Sequence, residues 1–381
     1  MENSNIFENY QTAQYQQIQP AETASDTTQD PVMLRKKIKK GYGWSGLTMI
    51  FQFLLSMAVL IFAGIIYSVI EMSGFMAENP GASYEQITEA SNEMAQNVAA
   101  DGRYNIAVTT VAYLIANLSA AAIGITTVKA FKTKDLFRKS KLSAKWIAVG
   151  ALSALGIQAV SLFIQNIMIN FTGLIGMSEE EASIGNMSGD MLLNVLIILY
   201  YVVIAPITEE ILVRGMIMNS LAPVSRKFAL IASALLFGLM HGNFNQMFNG
   251  FLLGLILGYI ALKSGSIIPS IIAHMIVNAN VMFCSYVYDY KVFESSGDEM
   301  AAILEIVHFA VLLVIGIIAL TFFLKKNGKI RQEDMVVPEY SYEIAPAEGK
   351  KLTWRLLIKC PSVWLVTIIY ILLAVTSVHM V

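Results

Sequence analysis

The sequence predicts an all-α, polytopic membrane protein with about eight or nine transmembrane helices. Hydrophobic residues make up 56% of its 381 positions, charged residues make up only 14%, and the mean hydropathy is +0.59. Soluble domains carry about 45–50% apolar and about 25% charged residues, so this chain has too few polar side chains to cover a water-facing surface. Lipid must therefore solvate much of it.

Apolar segments long enough to cross a hydrocarbon core about 30 Å thick recur along most of the chain. Because lipid cannot satisfy an open backbone, each of them must be helical. We place them at 45–70, 105–128, 146–175, 191–221, 228–243, 247–262, 266–287, 303–324 and 357–379. The 191–221 segment contains Pro206 and is too long for one straight span, which predicts a kink or a cytoplasmic extension. A tight turn from Gly242 to Gln246 joins two short segments, so the best count is nine spans and eight is the alternative.

The ends of the chain differ from this apolar middle. Residues 1–33 are rich in Gln, Asn, Thr, Ser and Glu, and they predict a disordered cytoplasmic tail. We divide the remainder into three parts. Residues 34–189 form the first membrane helices and loops, residues 190–290 form a candidate catalytic core with charged and polar residues inside its spans, and residues 291–381 form the last membrane helices. Two cysteines beside apolar stretches exclude a disulfide framework or zinc-finger spacing. The first apolar run is too long for a cleavable signal peptide.

The distribution of Lys and Arg orients the chain. All but three of the 26 Lys and Arg residues lie in alternate loops, including 129–145 and 325–359. The opposite loops are acidic, and their only basic residues are Arg103 and Lys291. The remaining basic residue, Arg214, lies within a span. The positive-inside rule therefore predicts a cytoplasmic amino terminus in a cell membrane. The halves show no sequence repeat, so inverted-repeat transporter architecture gains no support.

Charged residues within the spans concentrate in one region. A charge at the centre of a membrane helix costs about 2.5–3.5 kcal/mol and usually marks function. Glu210 and Arg214 are four residues apart, so on a helix they share a face and can pair. Glu209 points about 100° away and remains free, which suits a general base. The alternative for this pattern is a buried structural ion network.

Two further patterns place histidine within spans. Phe237 precedes His241 by four residues, and flanking glycines allow the close approach of a helix or a substrate backbone. His274 and Asn278 stack on one helical face and offer hydrogen-bond donors to a developing oxyanion. The alternatives are a packing histidine in the first pattern and interhelical hydrogen bonding in the second.

The combination of the three patterns favours a reaction site. The other two histidines, His308 and His379, lie near chain or helix ends and have interfacial explanations. Small residues recur at four-residue spacing between His241 and His274, which favours close helix packing that would bring the two histidines together. These small residues are Gly250, Gly254 and Gly258.

In these residues the chain resembles the CAAX protease and bacteriocin-processing family of intramembrane peptidases, also called CPBP or Abi proteins. The family pattern is Glu-Glu-x-x-x-Arg, then Phe-x-x-x-His, then His-x-x-x-Asn or Asp. The matching residues here, complete and in order, are Glu209-Glu210…Arg214, Phe237…His241 and His274…Asn278. The resemblance covers about residues 190–290, and it implies a helical membrane fold with catalytic groups in a cavity between spans.

The resemblance also implies roles for these side chains. Glu209 would act with His241 to activate water, while His274 and Asn278 would stabilise the tetrahedral oxyanion. The supporting residues behind them would be Glu210, Arg214 and Phe237. Zinc is possible, since a glutamate and two histidines (Glu209, His241, His274) could bind it with water in the fourth position. We favour glutamate-activated water without metal, because Asn is a poor zinc ligand and no His-Glu-x-x-His occurs.

The expected partners are the lipid bilayer and a membrane-associated peptide or protein substrate, with no nucleic acid. Prenylated CAAX tails, leader peptides and other membrane-anchored peptides all fit the resemblance. Serine, aspartyl and site-2-type intramembrane proteases fit worse, because their motifs are missing or incomplete. The competing class is non-hydrolytic: a transporter, or an immunity or scaffold protein.

Overall fold

The computed structural model describes residues 31–174, 187–287, 298–338, 353 and 355–380, with short segments at 19–20, 177–179 and 342–343. The predicted tail at 1–33 and the acidic loop containing Lys291 lie largely outside these residues. The helices are α1 (Pro31–Glu78), α2 (Tyr84–Ala100), α3 (Gly102–Val128), a 3₁₀ turn (Thr133–Phe137), α4 (Ala144–Leu174), α5 (Met191–Leu221), α6 (Arg226–Leu239), α7 (Phe244–Ser264), α8 (Ile268–Cys284), α9 (Asp298–Asn327) and α10 (Pro361–Thr376). Two antiparallel strand pairs accompany them: β1 (Gln19–Pro20) with β3 (Tyr342–Glu343), and β2 (Met177–Glu179) with β4 (Val378–Met380).

The prediction of an all-α, multi-pass membrane protein is confirmed. Among the described residues, seven helices are long and apolar enough to cross a membrane: α1, α3, α4, α5, α7, α8 and α9. Helix α10 is apolar but has only 16 residues. Helix α6 has 14 residues, about 21 Å, so the segment predicted to span at 228–243 is too short to cross. In the described part of the chain, the helices long enough to cross thus number seven, with α10 as a shorter apolar helix beside them.

Helix α6 ends early because the next residues form the tight turn that the sequence predicted. Gly242 adopts a left-handed conformation, with a φ of 71°, which a residue with a side chain rarely adopts. The side chain of Asn243 then accepts a hydrogen bond from the amide of Gln246 and caps α7. The chain reverses over these residues, and α6 and α7 pack side by side as a short hairpin.

The acidic segment between α1 and α3, predicted as an external loop, is largely helical. The Ser83 hydroxyl accepts from the amide of Gln86, and the Gln86 side chain accepts from the amide of Ser83. This capping box satisfies two backbone donors at the start of α2. Most side chains of α2 are exposed, which is consistent with a position outside the bundle.

Helix α5 is continuous, but its hydrogen-bond register changes twice. A π-helical segment at Leu199–Ile204 precedes an α-helical turn at Ala205–Glu210, and a second π-helical segment follows at Ile211–Met218. Pro206 lacks the amide that would bond to the previous turn, which explains the first change of register. Single π-helical turns frequently mark functional sites in helices. Here they bracket the two adjacent glutamates.

The small-residue ladder of α7 packs against α6, as the sequence predicted. The Cα atoms of Gly250 and Gly254 lie so close to α6 that an added Cβ would meet Gly238 at 3.0 Å and Ala234 at 2.9 Å. These contacts hold α6 against α7, and α7 shares the main apolar core with α5 and α8.

Loops with many basic residues meet at one end of the bundle. The amide of Lys141 donates to the carbonyl of Ser264, and the amide of Ile267 donates to the carbonyl of Leu136. Lys263 pairs with Asp334 at 2.6 Å at the same end. At the opposite end, Arg103 pairs with Asp190. The grouping agrees with the alternation of charge along the sequence, and the cytoplasmic assignment of the basic end stays a prediction.

Candidate active site

The predicted pair of Glu210 and Arg214 lies at the centre of the bundle. Arg214 Nη1 is 3.0 Å from Glu210 Oε1, and both side chains are completely buried. Arg214 Nη2 also donates to the carbonyl of Gly254 on α7, at 3.2 Å. The guanidinium lies 4.5 Å from the centre of the Phe237 ring, a favourable cation–π distance. Glu210 therefore has its counter-charge on its own helix.

Two carboxylates converge on one imidazole. His274 Nδ1 lies 3.2 Å from Glu210 Oε1, and His274 Nε2 lies 3.8 Å from Glu209 Oε2. Because a carboxylate only accepts hydrogen bonds, Nδ1 carries the proton in the contact with Glu210. The separation from Glu209 is too long for a direct hydrogen bond. His274 is therefore held at Nδ1 by Glu210, whereas its Nε2 faces the Glu209 carboxylate without a direct hydrogen bond.

Phe237 contacts both histidine rings. Its ring meets that of His241 at 5.2 Å and that of His274 at 5.7 Å, in both cases nearly edge to face. Aromatic pairs favour this arrangement. Phe237 is 1% exposed, and its buried ring contacts both imidazoles and the guanidinium of Arg214.

His241 lies in the turn after α6 and has a defined tautomer. Its Nδ1 is 2.9 Å from the carbonyl of Phe237 and 3.3 Å from that of Gly238. Carbonyls only accept, so Nδ1 carries the proton and Nε2 is an acceptor. The ring rests on Gly250, where an added Cβ would lie 3.1 Å from it. The close approach of α7 therefore fixes the ring.

Asn278 is oriented by α5. Its Nδ2 donates to the carbonyl of Tyr201 at 2.8 Å, within the first π-helical segment. One of its two amide protons is therefore used by the protein. His274 and Asn278 do share one face of α8, as their spacing predicts, and that face meets α5.

The pairing inside the site differs from the pairing that the family resemblance implies. Within the described part of the chain, Glu209 makes no direct hydrogen bond or ion pair with His241. Its imidazole neighbour is His274, which the resemblance places with Asn278. The sequence could not distinguish these pairings, because helix faces give directions and not the distances between helices. The roles of the individual residues stay predictions.

Sequence reasoning missed a group of residues around Glu209. Asn117 donates from Nδ2 to the hydroxyl of Thr208 at 3.0 Å. Tyr113, Tyr200 and Tyr201 lie within electrostatic range of the Glu209 carboxylate. The spacing of Tyr113 and Asn117, four residues apart in α3, was an available signal for a polar face, but no motif marked it.

The zinc alternative lacks a suitable donor set. Among the residues that the structure describes, no three His, Cys, Asp or Glu side chains are grouped so that they could hold a metal ion. His274 donates Nδ1 to Glu210 and His241 donates Nδ1 to backbone carbonyls, so Nε2 is the nitrogen of each ring that remains open to a ligand. Within the described residues Glu209, His241 and His274 are nevertheless not grouped as the tetrahedral site that zinc requires. We derive no catalytic step through a metal.

Comparison with known proteins identifies the same segment. Residues 191–280 match the family model of type II CAAX prenyl endopeptidases, described as Rce1-like. No curated protein and no solved structure matches the chain. The match includes every residue of the three motifs, and it confirms the resemblance to CAAX proteases. It covers α5, α6, α7 and most of α8, and it leaves out α1 to α4, α9 and α10.

Proposed function

We propose that this multi-pass membrane protein is a CAAX-type intramembrane endopeptidase in which Glu209 activates the attacking water. The match of residues 191–280 to Rce1-like prenyl endopeptidases supports a CAAX-type protease in general. The assignment of Glu209 is our own, and it rests on the arrangement of charges around it.

One observation carries the proposal: two adjacent carboxylates face one imidazole, and only one of them has a counter-charge. Glu210 pairs with Arg214 at 3.0 Å, whereas Glu209 has His274 at 3.8 Å and, among the residues that the structure describes, no arginine or lysine in hydrogen-bonding contact. The cluster of two glutamates and one arginine becomes neutral when it gains one proton. Glu209 and His274 are the groups between which that proton can move, and a base that alternates between two protonation states is what hydrolysis requires.

The proposed reaction needs no group beyond these side chains and water. Glu209 takes a proton from water, and the water oxygen bonds to the carbonyl carbon of the scissile peptide. The imidazolium form of His274, with protons on both Nδ1 and Nε2, and the remaining amide proton of Asn278 stabilise the oxyanion, and His241 Nε2 accepts a hydrogen bond from the water. The carbon–nitrogen bond then breaks, and the proton passes from Glu209 to the leaving nitrogen. The products are a carboxylic acid and an amine, and the acid then gives its proton to the amine.

The position of the site supports a membrane-associated substrate. His274 lies six residues after the start of α8, about 9 Å from the basic end of the bundle. Under the positive-inside rule that end faces the cytoplasm, so a peptide whose lipid group stays in the bilayer can present a nearby peptide bond. A prenylated carboxyl-terminal tail fits this description, and a membrane-bound leader peptide is the alternative substrate.

The test uses the full chain in liposomes with a farnesylated CAAX peptide and a leader peptide without a lipid group. Glu209→Gln keeps the shape of the side chain but removes the base. We expect cleavage of the farnesylated peptide to fall at least about 100-fold, because general-base catalysis contributes about 10²–10⁴-fold. Glu93→Gln makes the same change on exposed helix α2 and should leave cleavage unchanged.

The outcomes separate the candidate functions. Cleavage that survives Glu209→Gln contradicts the role of Glu209. Binding of both peptides without cleavage by the unmodified chain favours a scaffold or immunity protein, and release of intact peptide on the opposite side of the liposome favours a transporter. Cleavage of the leader peptide alone contradicts the prenylated substrate but leaves the role of Glu209 intact.

A further inference from the structure

Helix α3 reaches the candidate site although it contains no motif and lies outside the matched segment. Asn117 of α3 is completely buried, and its Nδ2 donates to Thr208 Oγ1 at 3.0 Å. Thr208 directly precedes Glu209, and its hydroxyl donates in turn to the carbonyl of Ala205 at 3.2 Å. The hydrogen bond therefore joins α3 to the single turn of α5 that presents Glu209.

We propose that Asn117 is a positioning residue for Glu209, because it fixes this turn of α5 through Thr208. The inference rests on the proposed function of Glu209 as the base. The turn at Ala205–Glu210 has π-helical segments on both sides, at Leu199–Ile204 and Ile211–Met218. The regular α-helical register is interrupted at both of its ends, and the contact from α3 adds a lateral restraint on this turn.

The chemistry of Asn117 is unusual for simple helix packing. The Thr208 hydroxyl donates to Ala205 and accepts from Asn117, so the carboxamide of Asn117 is fixed as the donor. Its Oδ1 is buried and, within the described residues, has no hydrogen-bond partner. An unpaired buried acceptor is costly, and an apolar side chain of similar size would avoid that cost. A specific requirement for the hydrogen bond to Thr208 explains why an amide occupies this position.

A second residue of α3 indicates that the same face of the helix borders the reaction site. Tyr113 lies four residues before Asn117 and so shares its face. Its ring meets that of Tyr200 of α5 at 6.2 Å, nearly edge to face. A shift of α3 relative to α5 would therefore also disturb this second contact with the helix that carries Glu209.

The test compares Asn117→Leu, Thr208→Val and the double variant in full-length protein in liposomes. Misplacement of a catalytic group lowers turnover more than binding, so we expect kcat for the farnesylated peptide to fall about tenfold with KM within about twofold. The second measurement needs no activity: dicyclohexylcarbodiimide modifies buried carboxyl groups, and mass spectrometry measures its rate at Glu209. We expect that rate to change at least about threefold, and the double variant to match the single variants because both act through one contact.

Tyr370→Phe is the matched control, because it removes another buried hydrogen bond between helices. The Tyr370 hydroxyl donates to Gln52 Oε1 at 3.2 Å, joining α10 to α1. In this variant we expect the carbodiimide to modify Glu209, and the protein to cleave peptide, at the same rates as in the unmodified protein. Thr208→Val changes only a hydroxyl to a methyl group, so it tests the proposal if Asn117→Leu does not fold.

Two results would overturn the positioning role: unchanged labelling of Glu209 in Thr208→Val, or effects of the two single variants that add in the double. A separate result would overturn the proposed function. If Glu209→Gln still cleaves peptide while Asn117→Leu alters the labelling of Glu209, the base assignment is wrong and the positioning of the carboxylate stands.

Discussion

Helix α8 takes part in two polar clusters that use the membrane interior differently. At His274 it joins the ionic cluster, which we define as Glu209, Glu210, Arg214 and His274. Six residues later it joins a chain of hydrogen-bonded uncharged side chains, called the neutral chain here, which we define as Gln158 of α4, Asn280 of α8 and His308 of α9. In the neutral chain, His308 Nε2 donates to Asn280 Oδ1 at 3.0 Å, and Asn280 Nδ2 donates to Gln158 Oε1 at 3.3 Å.

The two clusters differ in how completely their atoms are paired. In the ionic cluster, Arg214 Nε is buried without a hydrogen-bond partner within the residues that the structure describes, and Arg214 Nη1 meets Glu210 as an ion pair at 3.0 Å and not in a well-formed hydrogen bond. No atom of the neutral chain is in that condition. Buried polar groups in proteins are almost always hydrogen-bonded, and exceptions call for an explanation. The neutral chain therefore joins helices through complete hydrogen bonds, whereas the ionic cluster is held together mainly by the attraction of opposite charges.

The largest expected effect is on stability, when the ionic cluster loses its counter-charge. Arg214→Met should lower the free energy of unfolding by about 3–5 kcal/mol, because it leaves Glu210 buried without its cation. Adding Glu210→Met should recover most of that loss, since an apolar pair of similar volume often replaces a buried ion pair at no cost. Thermal unfolding in one detergent measures both variants.

Peptide cleavage then separates structure from function in the same variants. The double variant should fold but should not recover activity, because His274 loses the carboxylate that holds its Nδ1. Full recovery of both stability and cleavage would mean that Glu210 and Arg214 only stabilise the bundle. The contrast between the two clusters would then depend on Glu209 alone.

A smaller effect is expected where α7 supports the ionic cluster. Gly254 accepts from Arg214 through its carbonyl, and an added Cβ would lie 2.9 Å from the Cα of Ala234. Gly254→Ala should therefore push α6 away from α7 and lower the free energy of unfolding by about 1–3 kcal/mol, with a fall in cleavage. Gly64→Ala in α1 is the control, since an added Cβ there meets nothing within 4 Å. Equal effects of both variants would mean that helix propensity, and not packing near the site, determines the result.

The sequence predicted what depends on spacing along one helix. The pair of Glu210 and Arg214 follows from their separation of four residues, and the packing of α6 on α7 follows from the glycine ladder. The turn between those helices follows from Gly242 and Asn243. In each case the relevant partners are close in sequence or repeat at helical spacing, so local geometry is sufficient.

The sequence did not predict what depends on distances between helices. The approach of Glu209 to His274 and the contact of Phe237 with both imidazoles depend on how α5, α6 and α8 cross. Asn117 and Thr208 are 91 residues apart, and neither belongs to a motif. The helical nature of α2 was an avoidable miss, because Ser83 and Gln86 have the spacing of a capping box.

The smallest expected effect is in the neutral chain, and it tests the contrast most directly. Asn280→Leu removes the hydrogen bonds to Gln158 and His308 but keeps a side chain of similar size. Hydrogen bonds between membrane helices contribute about 0.6 kcal/mol on average and at most about 1.7, so unfolding should shift by no more than that. Cleavage of the farnesylated peptide should stay within about twofold of the unmodified protein, because the two hydrogen bonds of Asn280 lead to α4 and α9 and not to the ionic cluster. A tenfold loss of kcat with normal unfolding would place the neutral chain in the reaction, and complete hydrogen bonding would then no longer distinguish structural polar groups from functional ones in this bundle.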